Sequence, residues 1–113
     1  MVKLSGKVIY IDPGHGRNRH GNLDPGAVGY LNGLEHHEAT TALLISQRLK
    51  SELEKLGAIV YIGATIYKPG KDSDALNLFD RGPQINRLSP DIVVSIHHNS
   101  ASNTTATGAE VLI

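Results

Sequence analysis

The stretch "KVIYIDPGHG", residues 7–16, decides how this chain is read. The β-branched and aromatic residues of "KVIYI" suit a buried strand, and Pro13 stops that strand from continuing. His15 is thereby left on a loop at a strand end. It lies between Gly14 and Gly16, whose backbone freedom lets a ligand come close to the main chain. A strand that delivers an imidazole to such a loop is the start of a site.

Outward from this point, the chain alternates short β runs with one clear helix and one weaker one. The first strand is expected over 7–12, followed by the Gly- and Asn-rich loop "GRNRHGNLDPGAVGYLNG". A helix then ends near Leu56, where Gly57 stops it; Ala42, Ile45, Leu49, Leu53 and Leu56 follow three- and four-residue steps and are expected to line one face toward a sheet. A second strand is expected over 58–62, and a loop through "YKPGKDSD" leads to the weaker helix, from about 76 to 88. "DIVVSIH" is the third strand, and "TGAEVLI" is expected to begin a fourth. The fold class is α/β: a single domain with a central, mostly parallel or mixed sheet flanked by helices. A strand at the very end would have nothing after it to cover one face, so residues 1–113 are expected to form one domain incomplete at its carboxyl end.

Composition narrows the chemistry. The chain has 113 residues, 40% of them apolar, which matches one ordinary globular core. Eleven Lys and Arg balance eleven Asp and Glu, so no polyanionic partner such as nucleic acid is expected. There are six histidines and no cysteine, so any transition-metal site must use imidazole and carboxylate. The amino-terminal "MVKLSGKVIY" has no apolar run long enough for a signal peptide or a membrane span, and no membrane insertion is expected.

His15 and His97 both follow strands at their carboxyl ends, where open parallel sheets place ligands. By strand alternation, Val93, Ser95 and His97 share one face, while Val94, Ile96 and His98 share the other. A catalytic zinc site takes three protein ligands and leaves a position for water, so a third donor is needed, and the helix start offers Glu35 and Glu38. Asn32 stands three residues before Glu35, the spacing of a capping box, which gives Glu35 a structural role. Glu38 lies one turn before Ala42 on the buried face and is preferred as the ligand. His20, His36 and His37 are read as solvated, Asp24 in "DPGA" as a turn former, and Arg81 and Asn86 as pins between the second helix and the sheet. A dinucleotide loop would need glycine where Arg19 stands, which disfavours a nucleotide-binding protein.

With these residues in place, the sequence resembles the zinc-dependent N-acetylmuramoyl-L-alanine amidases of the amidase-3 type. "IDPGHG", "DPGAVG", a glutamate opening a helix, "GAIV", "LFDRGPQIN", "DIVVSIHHN" and "TGAEV" follow the family's order and spacing. The resemblance implies one zinc ion per chain held by His15, Glu38 and His97. It also implies hydrolysis of the amide between N-acetylmuramic acid and L-alanine in peptidoglycan, and action at the bacterial cell wall. Two departures stand out. "YIGATIY" has no arginine where the family has a Thr-Arg pair, and the family's acid–base glutamate falls beyond Ile113, so no catalytic residue is assigned within the chain and Glu110 is not given that role. A non-catalytic, zinc-containing wall-binding module is the alternative.

Overall fold

The computed structural model describes residues 3–18, 20–64 and 78–113, without the side chains of Leu78 and Phe79. Its elements are β1 (Val8–Pro13), β2 (Gly16–Arg17), β3 (Leu23–Asp24), β4 (Val28–Leu31), β5 (Leu34–His37), α1 (Glu38–Lys55), β6 (Ile59–Ile62), α2 (Leu78–Leu88) and β7 (Ile92–Ile96). The first strand in sequence is the middle strand in space: the sheet order is β6-β1-β7, parallel throughout. The fold is α/β, as expected. The beginning expected for the second helix, and the loop "YKPGKDSD", fall on 65–77, outside the described residues.

In parallel register Ile9 pairs with Val60 and Ile92, and Ile11 with Ile62 and Val94. Residues paired this way point to the same side of the sheet. Ile9, Ile11, Ala58 and Val60 form the buried cluster on that side, with Leu49 and Leu53 of α1 packed against it together with Ile62, Val94 and Ile96. The opposite side carries Tyr10 and Asp12, which α2 reaches: Tyr10 Oη donates to Gln84 Oε1, and Arg81 bonds Asp12 Oδ1 at 2.7 Å. Helices therefore cover both sides of β1. Asp91 fixes the entry to β7, since its backbone N–H donates to the Val8 carbonyl while its side chain accepts from Val8 N, both at 2.7 Å.

Four expectations need correction. Strand β1 runs one residue further than expected, because Pro13 still pairs with Ile96 at the end of the ladder, where a missing N–H costs least. The buried face of α1 holds Glu38, Ala39, Ala42, Leu43 and Ser46, while Ile45 is exposed, so the face is turned toward the start of the helix, where the loop packs. The long loop also contains two antiparallel ladders, β2–β3 and β4–β5. Finally, "TGAEVLI" forms no strand: 107–113 has no regular structure and Val111, Leu112 and Ile113 are exposed. Its residues favour β structure, but a strand exists only where a neighbour completes its ladder.

The β4–β5 hairpin also overturns the capping box. Asn32 and Gly33 adopt left-handed angles (φ 54° and 75°), the two-residue hairpin turn that Asn-Gly favours. Helix α1 starts three residues beyond Glu35 with His37 as its N-cap and no side-chain cap. Loop carbonyls satisfy its first N–H groups instead: Glu38 N donates to Ala27 O at 2.9 Å and Ala39 N to Pro25 O at 3.0 Å. Glu35, on the hairpin, contacts His37 Nε2 at 2.5 Å and accepts from Tyr30 Oη at 3.4 Å.

Candidate metal centre

His15, Glu38 and His97 come together at the carboxyl edge of the sheet. One ligand atom from each lies within 4.8 Å of the others, so the group could hold a metal ion. His15 Nε2 is 3.3 Å from Glu38 Oε2, and His97 Nδ1 is 3.2 Å from Glu38 Oε1. The two imidazoles meet edge to face, with centroids 5.1 Å apart.

Each donor is delivered by a different element. Glu38 is the first residue of α1, where the helix dipole favours a negative charge. Its side chain is only 5% exposed, yet its oxygens accept from the backbone N–H of Ala27 at 3.0 Å and of His98 at 2.8 Å. Burial pushes the pKa of Glu38 up. The bonds from Ala27 and His98, the charge of His15 and the contact with His97 outweigh that push and hold it below the usual glutamate value.

The loop of His15 is held from both ends. His15 has a left-handed backbone (φ 60°), which costs an L residue about 1–2 kcal/mol. Arg81, itself buried, sends its guanidinium under this loop, donating to the Pro13 carbonyl at 2.7 Å and to the His15 carbonyl, with Asp12 as its counter-ion. Arg81 thus does pin α2 to the sheet, and it also clamps the loop that carries a donor. Asn86 is exposed, and its carbonyl accepts from Ser89 Oγ at 3.3 Å. On the other side of His15, the β2–β3 ladder pairs Gly16 with Asp24 and brings that carboxylate to the ring: Asp24 Oδ2 is 3.2 Å from His15 Nδ1. Asp24 Oδ1 also accepts from Gly26 N at 3.2 Å, so its reading as a turn former holds but is only half of what it does.

Space explains two glycines. A Cβ on Gly14 would lie 2.7 Å from His97 Nδ1 and from the Ile96 carbonyl. One on Gly26 would lie 2.5 Å from His15 Cδ2 and 2.8 Å from Glu38 Oε2. Any side chain at either position would push on the donors.

His97 comes to the centre differently from the expected route. Strand β7 ends at Ile96, so neither His97 nor His98 follows its alternation. His97 turns its ring to Glu38, and His98 contributes its backbone N–H. His20 and His36 are exposed as expected, but His37 is half-buried against Glu35. Glu110 is exposed in the irregular carboxyl-terminal segment. The pairing of Asp24 with His15 was missed, though Asn18 gives a signal for the turn that creates it: its side chain accepts from the N–H of His20 and Asn22, closing the β2–β3 loop.

The geometry sits within a recognisable family. Residues 9–113 match the family model described as N-acetylmuramoyl-L-alanine amidase, of the amidase-3 type. The chain is 31% identical over 120 residues to the germination-specific N-acetylmuramoyl-L-alanine amidase of Bacillus subtilis, and 32% identical over 112 residues to N-acetylmuramoyl-L-alanine amidase AmiA of Escherichia coli. These alignments take in 96% and 97% of this chain but 46% and 34% of the relatives, so the chain spans less than half of their length. Among solved structures, the amidase AmiC2 of Nostoc punctiforme superposes with a TM-score of 0.62 at 34% identity, over 88% of this chain and 48% of that one. Ami1 of Mycobacterium smegmatis gives the same TM-score at 21% identity, over 90% of this chain and 51% of that one, and shares the fold. The chain belongs to the amidase-3 type family of N-acetylmuramoyl-L-alanine amidases.

Proposed function

We propose that this chain carries the zinc centre of a peptidoglycan amidase, with His15, Glu38 and His97 as the ligands of one zinc ion. The observation that carries the proposal is the convergence of two imidazoles and one buried carboxylate from three separate elements. The donor chemistry suits zinc, which takes nitrogen and oxygen ligands. Calcium or magnesium would call for an all-oxygen set.

The substrate bond is the amide between N-acetylmuramic acid and L-alanine, by kinship with the relatives named above. When bound, zinc polarises a carbonyl and lowers the pKa of a bound water to about 7. The residues of this chain hold that chemistry in place. Glu38 neutralises charge from beneath, its oxygens oriented by Ala27 and His98. His97, about half exposed, forms the open side by which a cell-wall strand would approach. Arg81 keeps the His15 loop from relaxing out of its strained conformation.

Among the described residues, the carboxylates touching the two histidines are Glu38 and Asp24, and both are engaged. Neither is offered as the proton carrier, and a non-catalytic, zinc-containing wall-binding module is the second reading. One measurement tests the centre and a second separates the readings. Equilibrium dialysis is expected to give one zinc per chain, with His15→Ala, Glu38→Ala and His97→Ala each losing it; retention of zinc by all three would overturn the centre. Release of L-alanine amino termini from purified peptidoglycan marks the enzyme, whereas zinc-dependent cosedimentation without release marks the binding module.

No helix among the described residues is long and apolar enough to cross a membrane. Action at the bacterial cell wall follows from the proposed substrate, and nucleic acid has no part in it.

A further inference from the structure

We propose that Asp24 is the positioning residue of this centre: its carboxylate holds the His15 imidazole by Nδ1 so that Nε2 faces the ion. The inference rests on the zinc reading above and concerns how one ligand is aimed. His15 presents two nitrogens to two carboxylates, Nδ1 to Asp24 Oδ2 at 3.2 Å and Nε2 to Glu38 Oε2 at 3.3 Å. Only one of these carboxylates belongs to the ligand group, since Asp24 lies on the far side of the ring from Glu38 and His97. An imidazole that donates Nδ1–H to a carboxylate keeps its lone pair on Nε2 and becomes a more basic ligand.

Asp24 is itself built in. It sits in the short β2–β3 ladder opposite Gly16, one residue from His15, and its second oxygen accepts from Gly26 N. The residue therefore uses both oxygens as acceptors, one for the turn and one for the ring. Asparagine has a single oxygen and cannot do both: whichever way its amide is turned, an NH2 group faces a donor, and the negative charge is gone. His97 has no equivalent arrangement. Its Nδ1 faces Glu38, and its ring is about half exposed, with no carboxylate on the other nitrogen among the described residues.

The test compares zinc affinity by chelator competition for wild type, Asp24→Asn and Asp24→Ala, with thermal melts of the metal-free proteins alongside. The expected result is a 10- to 100-fold loss of affinity in both variants, with Asp24→Asn melting close to wild type. A role confined to the turn would leave Asp24→Asn binding zinc as tightly as wild type, and that result overturns the inference while the zinc centre stands. A wild-type protein that binds no zinc overturns the centre and this inference with it. A second measurement needs no variant: long-range proton–nitrogen NMR of the zinc-loaded wild type shows which ring nitrogen carries the proton. Nδ1 is expected in His15 and Nε2 in His97; a proton on Nε2 of His15 overturns the assignment.

Discussion

His15 and His97 approach the two oxygens of the same carboxylate under very different restraint. His15 leaves the middle strand of the sheet on a loop whose carbonyls are clamped by Arg81 and whose ring is met by Asp24. His97 leaves β7, which among the described residues pairs only with β1, and its ring meets Glu38 alone among the described acidic side chains. Beyond it the chain to Ile113 is exposed and irregular. One side of the centre is thus fixed in advance, while on the other the His97 ring rests on Glu38 and on the His15 ring. A rigid donor sets the position of an ion, and a looser one adapts to it; preorganisation on one side reduces the ordering that binding must supply.

Removing the clamp should have the largest effect. Arg81→Ala leaves Asp12 without its buried partner and frees two carbonyls of the loop, at an expected cost of about 3–5 kcal/mol in chemical denaturation of the metal-free protein. A loss below about 1 kcal/mol would show that the loop keeps its shape without the guanidinium, and would erase the contrast between the two sides. Next comes Gly26→Ala. Its methyl group collides with His15 and Glu38, and its φ of 69° is unfavourable for alanine, so stability should fall by more than about 1 kcal/mol and zinc affinity with it. Unchanged affinity would mean that the 25–27 segment yields and does not brace the centre.

On the other side of Asp12, Ser95→Ala removes one hydrogen bond to the carboxylate, 2.8 Å long and exposed, and should cost about 1 kcal/mol. The smallest effects belong to side chains that only neighbour the site. His98→Ala should leave zinc affinity unchanged, because His98 serves Glu38 through its backbone N–H. Glu35→Ala should lower the melting temperature only slightly, from its exposed contacts with His37 and Tyr30 and not from a capping box, and leave zinc affinity unchanged. A large loss in either variant would require contacts beyond those seen here.

These distinctions also mark what was legible in the sequence. The three sheet strands and α1 could be read from their β-branched runs and three- and four-residue apolar steps, although Ile45 among those steps is exposed, and Gly57 marks the helix end. The grouping of His15, Glu38 and His97 could be anticipated because His15 and His97 stand just past strands and Glu38 opens a helix, with the family resemblance choosing His97 over His98. The hairpin was hidden by a conflict in which Asn32 served equally as a helix cap or as the first residue of an Asn-Gly turn. Loop carbonyls from Pro25 and Ala27 resolved it by capping α1 from outside the local sequence. Asp24 was read through its turn because its second partner depends on pairing across the β2–β3 loop. The carboxyl-terminal "TGAEVLI" shows the reverse: β-favouring Val111 and Ile113, but no strand paired with it among the described residues.

The order of the sheet bears on how the molecule comes to be folded. Its middle strand is made first, and neither β6 nor β7 exists until some fifty and eighty residues later. Until then Ile9, Tyr10 and Ile11 have no sheet partners, and joining them requires closing long loops before any ladder bond repays the entropy. The centre is more dependent still, since His97 arrives only with the last strand. An ion held by both His15 and His97 would therefore find the two imidazoles together only after β7 has joined β1. Its kinetic mark should be slower unfolding, with the rate of folding left almost unchanged.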